Sequence, residues 1–150
     1  MGNFVSVDQG LYPRTIITRL ANMSLTAPGF LEQRFHPGAK LDPDGFAENK
    51  RARFVLCGDD PYLMLSVFPK DIDFELRVTT SDHFAPERGR DGLVALALVA
   101  YDHVTEQVSK LYFSYFPQLF RHQVFMDEGE ARKWLFAQRA EAERSKDRSN

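Results

Sequence analysis

The stretch Leu93-Val94-Ala95-Leu96-Ala97-Leu98-Val99-Ala100 constrains this chain most. It carries no polar residue, so it must be covered on both faces. An uninterrupted run of eight, bounded by Gly92 and Asp102, has the length and flanks of a parallel strand inside a sheet. It is far short of the roughly 20 residues that a membrane-spanning helix needs. Tyr62-Leu63-Met64-Leu65-Ser66-Val67-Phe68 repeats the pattern and stops at Pro69. Two such strands have to lie side by side, with amphipathic helices shielding them.

The helices announce themselves by their starts. Asp42-Pro43 places a capping side chain before a proline at the first helical position, and Phe46, Ala47, Lys50 and Phe54 follow at helical spacing. Gly58 stands where a left-handed terminating residue belongs. Asp73 is read as the cap of a short second helix. Asp102 is read as the cap of a third helix reaching Phe116, with Val104, Val108, Leu111, Tyr112 and Tyr115 on one apolar face. Asp127 and Glu130 form a capping box for a fourth, in which Ala131, Trp134, Leu135 and Gln138 share a face. Thr15–Leu20, Phe30–Phe35 and His122–Phe125 read as further strands, the second as an edge partner of the first, and Phe4–Val7 as a short one. The 85–92 stretch reads as a polar loop. The order is ββ-α-β-α-β-α-β-α. It predicts an α/β fold: a mixed, mostly parallel sheet of about five strands with about four helices packed on it. Residues 1–13 read as a flexible lead-in, 14–138 as the domain, and 139–150 as a charged, partly disordered tail.

Composition narrows the function classes. A length of 150 residues suits one domain. With 19 basic against 21 acidic residues, the net charge of −2 gives no field suited to nucleic acid. One cysteine, Cys57, excludes an internal disulfide and points to a reducing, cytoplasmic setting. Gly2 and Ser6 match a myristoylation pattern, but no polybasic patch supplies the second signal of a stable membrane anchor.

No catalytic set emerges. No glycine-rich loop opens a helix after a strand. His36, His83, His103 and His122 are widely spaced and read as surface or loop-end residues, so neither a metal nor a cofactor is expected. Cys57 falls at a helix C-terminus, which disfavours the thiolate, and reads as a buried structural thiol; Arg53, one turn earlier, reads as a partner of the terminal carbonyls. Asp71 and Asp73 sit at the mouth of a strand, where ligands of open α/β sheets bind, though a cap and a turn account for both. Around the third helix, core packing accounts for Tyr112 and Tyr115, and Phe113 and Phe116 look elsewhere. Together Phe113, Tyr115 and Phe116 are candidates for an interface or an apolar pocket.

Phe35-His36-Pro37-Gly38-Ala39-Lys40-Leu41-Asp42 before the first helix, and Phe125-Met126-Asp127-Glu128-Gly129-Glu130-Ala131-Arg132-Lys133-Trp134-Leu135 near the end, carry a resemblance. The segment from about Thr15 to Gln138 resembles the STAS, SpoIIAA-like (anti-sigma-factor antagonist) domains, in particular a bacterial STAS/SEC14-like branch. The resemblance implies a SpoIIAA-like sheet, non-enzymatic regulatory or protein-interaction work, and self-association, the protein partner being unknown. It also implies a phosphorylatable serine where the second helix begins. Here that region reads Asp71-Ile72-Asp73-Phe74-Glu75, without serine or threonine, so a phosphorylation switch at that place is not expected. The alternative is a carrier or sensor for a small apolar molecule or lipid, held near the third helix.

Overall fold

The computed structural model describes residues 11–84 and 92–149, with side chains through Ser145; the expected strand at Phe4–Val7 and nearly all of the polar loop lie outside them. The two apolar runs become β5 (Tyr62–Val67) and β7 (Leu93–Val99). They pair in parallel, Met64 opposite Leu96 and Val67 opposite Val99. Around them a six-stranded sheet has the order β1-β2-β3-β5-β7-β8, with β1 Arg14–Ile17, β2 Ala21–Ala27, β3 Phe30–Phe35 and β8 Arg121–Phe125. β1, β2 and β3 run antiparallel. β3, β5, β7 and β8 run parallel. The mixed, mostly parallel α/β class is as expected, with one strand more. β3 is no edge strand: it joins the antiparallel half to the parallel half, with a neighbour on each side. A second sheet of two residues each pairs β4 (Lys40–Leu41) with β6 (Asp73–Phe74).

Alternate side chains divide the core, as the period of two in a strand requires. Leu31, Phe35, Met64, Leu96 and Leu98 meet residues of α1 (Pro43–Cys57) and α2 (His103–Tyr115). Leu63, Leu65, Val67, Ala95, Ala97 and Val99 meet Ala131 and Leu135 of α3 (Glu128–Ser149) on the other face. The alanines of β7 let α3 come close, and Ala131 and Leu135 are completely buried. Arg34 and Arg132 bridge Glu32 and Glu128 at 2.7–2.9 Å, fastening the first turn of α3 to β3.

Three of the four caps read from the sequence form. The Asp42 carboxylate accepts from Gly45 N at 2.8 Å, Asp102 from Thr105 N at 2.8 Å and Asp127 from Glu130 N at 2.8 Å. Gly58 has φ of 60°.

The expected second helix is corrected. Asp73 lies in β6 opposite Lys40 and caps nothing; a 3₁₀ turn, Leu76–Thr80, follows. Pairing with Lys40–Leu41 takes up the backbone that a helix would have used, so the described residues form three α-helices rather than four. α3 also continues through the charged tail to Ser149, and Arg139 within it donates to the carbonyl of Gly29 at 2.9 Å.

Candidate functional site

The buried faces of α1 and α2 mix small and large side chains. α1 buries Gly45, Asn49, Ala52, Arg53, Leu56 and Cys57. α2 buries Thr105, Ser109 and Phe113, a row at spacings of four. The apolar stripe read from α2 is thus rotated: Val104, Leu111 and Tyr115 are exposed at 67%, 54% and 69%. Asp102 explains the rotation. Its carboxylate binds both the Thr105 amide and the Thr105 hydroxyl, at 2.8 and 3.1 Å, and it also accepts from the Asp71 amide. The first turn is held with Thr105 inward, and Ser109 and Phe113 follow.

Short side chains on the inner face of α2 leave a void. A cavity of about 100 Å³ lies between the sheet, α1, α2 and the 3₁₀ turn. Phe35, Met64, Phe68, Leu96 and Leu98 form its sheet wall; Phe46, Val108, Tyr112 and Phe113 come from the helices. Leu41 and Phe74, one from each strand of the small sheet, and Val78 close a third side. The lining includes no lysine, arginine, aspartate or glutamate among the described residues.

Besides Thr105 and Ser109, a second strip of the wall is polar. Thr18 Oγ1 donates to Asn49 Oδ1 at 2.5 Å, Asn49 Nδ2 to Gln33 Oε1 at 3.1 Å, and Gln33 Nε2 to Ser66 Oγ at 2.8 Å. All four residues are buried, Asn49 at 1% and Ser66 at 2% exposure. The chain runs from the β1–β2 turn through α1 and β3 to β5 and ends at Ser66, which lines the cavity with Gln33.

His83 stands at the rim. Its ring stacks on Phe46, centroids 4.5 Å apart, and on Tyr112 at 5.8 Å. Nε2 donates to the Val78 carbonyl at 2.8 Å, which leaves Nδ1 as the acceptor of a neutral ring. Burial pushes its pKa below the ordinary histidine value. His122 is lowered for the same reason and stacks on Phe113 at 4.2 Å. Both are half-buried parts of an aromatic layer, His83 from a turn, within the surface or loop-end reading, and His122 from inside β8, outside it.

Of the three aromatic candidates, only Phe113 lines this cavity. Tyr115 and Phe116 line a shallow outer groove with Leu76, Leu111 and Tyr112. The core packing expected of Tyr115 is corrected, since Tyr115 is exposed, whereas Phe113 is buried and lines the cavity, one of the alternatives expected of it. Asp71, Asp73 and Glu75 do not gather into a site: Asp71 takes a left-handed turn with φ of 57°, Asp73 is exposed, and Glu75 pairs with Arg77 at 2.7 Å. Phe74, between them, reaches the cavity. Cys57 is buried. Arg53 donates to Tyr62 Oη at 2.9 Å and lies over the Phe84 ring, rather than serving its own helix end.

Sequence reasoning missed Gln33, Asn49, Ser66 and Ser109. Ser66 is a lone polar residue in an apolar stretch, and that mismatch was an available signal; Gln33, Asn49 and Ser109 stand among charged or polar neighbours and carried none. No grouping of His, Cys, Asp and Glu among the described residues could hold a metal, and no helix among them is long and apolar enough to cross a membrane. Comparison with known proteins finds no matching family model, no matching curated protein and no matching solved structure.

Proposed function

We propose that this chain is a non-enzymatic binding module of STAS/SEC14-like type that takes a small apolar molecule into the cavity beneath α2. The observation that carries this reading is the void itself, held open by an inner helix face of Thr105 and Ser109 and walled by aromatic and aliphatic side chains. Protein interiors are otherwise close-packed. An apolar cavity of about 150 Å³ is known to accept benzene or xenon, and the one here approaches that size. Cytoplasmic residence and the absence of catalysis belong to the same proposal. Binding to the folded state raises its stability by mass action, so saturating benzene should raise the melting temperature of the chain. It should leave Ser109→Leu unmoved, because the larger side chain occupies the void. A wild-type melting temperature that neither benzene nor pentane shifts rejects the reading.

A second reading, self-association, draws on the outer groove. Leu76, Val104, Leu111 and Tyr115 are all more than half exposed and lie on α2 or the neighbouring 3₁₀ turn; such patches commonly mark contacts. The occupant proposed is a second copy of this chain. Light scattering should then give twice the chain mass for the wild type and the single mass for Leu111→Asp/Tyr115→Asp. A wild type that stays at the single mass across concentration rejects it. Neither outcome touches the benzene test.

A further inference from the structure

Resting on the ligand-binding reading, we infer that the cavity selects an uncharged molecule of about four to six non-hydrogen atoms carrying one hydroxyl or carbonyl oxygen, which docks on Ser66. Size follows from the volume of about 100 Å³, somewhat below a void that accepts the six carbons of benzene at about 150 Å³. Charge follows from the lining, which holds no lysine, arginine, aspartate or glutamate among the described residues, and whose histidine, His83, burial pushes toward the neutral form. An ionised ligand would lose its water with nothing to replace it, and that loss is prohibitive in an apolar interior.

The oxygen follows from the direction of the buried chain. Donation passes from Thr18 to Asn49, to Gln33, to Ser66. Ser66 Oγ accepts at the end of it, so the hydroxyl proton remains to be given. Main-chain groups flanking Ser66 are engaged in pairing with β3 and β7. Turning both amides over about their last torsion reverses the chain: Ser66 would donate to Gln33 and keep a lone pair. A hydroxyl ligand suits both settings and a carbonyl suits the first. Away from Ser66 the lining is mainly phenylalanine, leucine and valine, and the Thr105 hydroxyl there is already given to Asp102, so the rest of the ligand is mainly hydrocarbon.

Met64 lines the cavity and makes a spectroscopic reporter. With the full chain labelled at methionine methyls, the Met64 signal should shift on titration with 1-butanol and with pentane, and stay unmoved by butyrate. In Ser66→Ala the affinity for butanol should fall about tenfold, the size expected for one hydrogen bond, and that for pentane should hold. Ser66→Cys, which keeps the shape and only a weak donor, should reproduce the loss. If neither butanol nor pentane moves Met64, the ligand-binding reading itself fails. If pentane binds but butyrate binds as well as butanol, or the butanol-to-pentane ratio survives both Ser66 variants, that reading stands and the assignment of a neutral oxygen falls. The butyrate titration needs no variant, so it decides even if the Ser66 variants fail to fold.

Discussion

Two residues show how one polar side chain sets local geometry. Asp102 holds three donors, Thr105 N, Thr105 Oγ1 and Asp71 N. Those hydrogen bonds, the Thr105 amide first, keep its carboxyl below the ordinary aspartate range. Asp102→Ala should cost about 1–2 kcal/mol as a lost cap, read by urea unfolding. A cost within about 0.5 kcal/mol, the size of an ordinary surface change, would contradict that role. Asn49 works in the interior. Asn49→Ala would strand the Gln33 carbonyl oxygen in a dry environment, Thr18 keeping its bonds to Ala21, and should cost about 1–3 kcal/mol. Asp73→Ala, by contrast, should be nearly silent, since Asp73 is an exposed strand residue and not a cap.

At the scale of elements, the rotation of α2 is directly testable. Phe113→Ala should cost about 3 kcal/mol or more, as buried phenylalanines do, and Tyr115→Ala less than about 0.5 kcal/mol, as exposed positions do. Equal costs would restore the face that periodicity alone selects. α3 is attached differently, through ions. Hydrogen bonds from Arg34 and then Arg132 hold Glu128 down to about 2, from an ordinary value near 4.5. A depressed carboxylate pKa means the folded state binds the proton more weakly than the unfolded state does. The stabilisation is complete above about 4.5 and is lost as pH falls from there toward 2. Unfolding followed from pH 6 to about 2 should therefore show a decline that Glu128→Gln flattens. An unchanged decline in that variant would remove the pairing from the account of acid stability. Because Arg34 is partly solvent-exposed, the contribution is smaller than for a buried pair.

On the scale of the whole molecule, β5 and β7 are the centre of the sheet's parallel half, covered by α1 and α2 on one face and α3 on the other. Amide exchange should be slowest there and fastest in β1, which among the described residues is an edge strand paired with β2 alone. Comparable protection in β1 and β7 would mean that the sheet opens as one unit. What the sequence alone determined is whatever depends on neighbours along the chain. Asp42, Asp102 and Asp127 start helices because each reaches an amide within its own first turn, and Gly58 stops one because a left-handed residue does so wherever it stands. The runs at Tyr62 and Leu93 had to be interior strands for want of any polar face. Tertiary structure decided the rest. Asp73 became a strand because Lys40, distant in sequence, offered a pairing partner. Thr105 and Ser109 turned inward, and Leu111 and Tyr115 outward, because helix orientation was settled by a cap and by the stacking of Phe113 on His122. Period alone could not weigh those contacts. The cavity, and the polar chain ending at Ser66, come from four elements meeting around a gap, and a gap has no residue of its own by which a sequence could announce it.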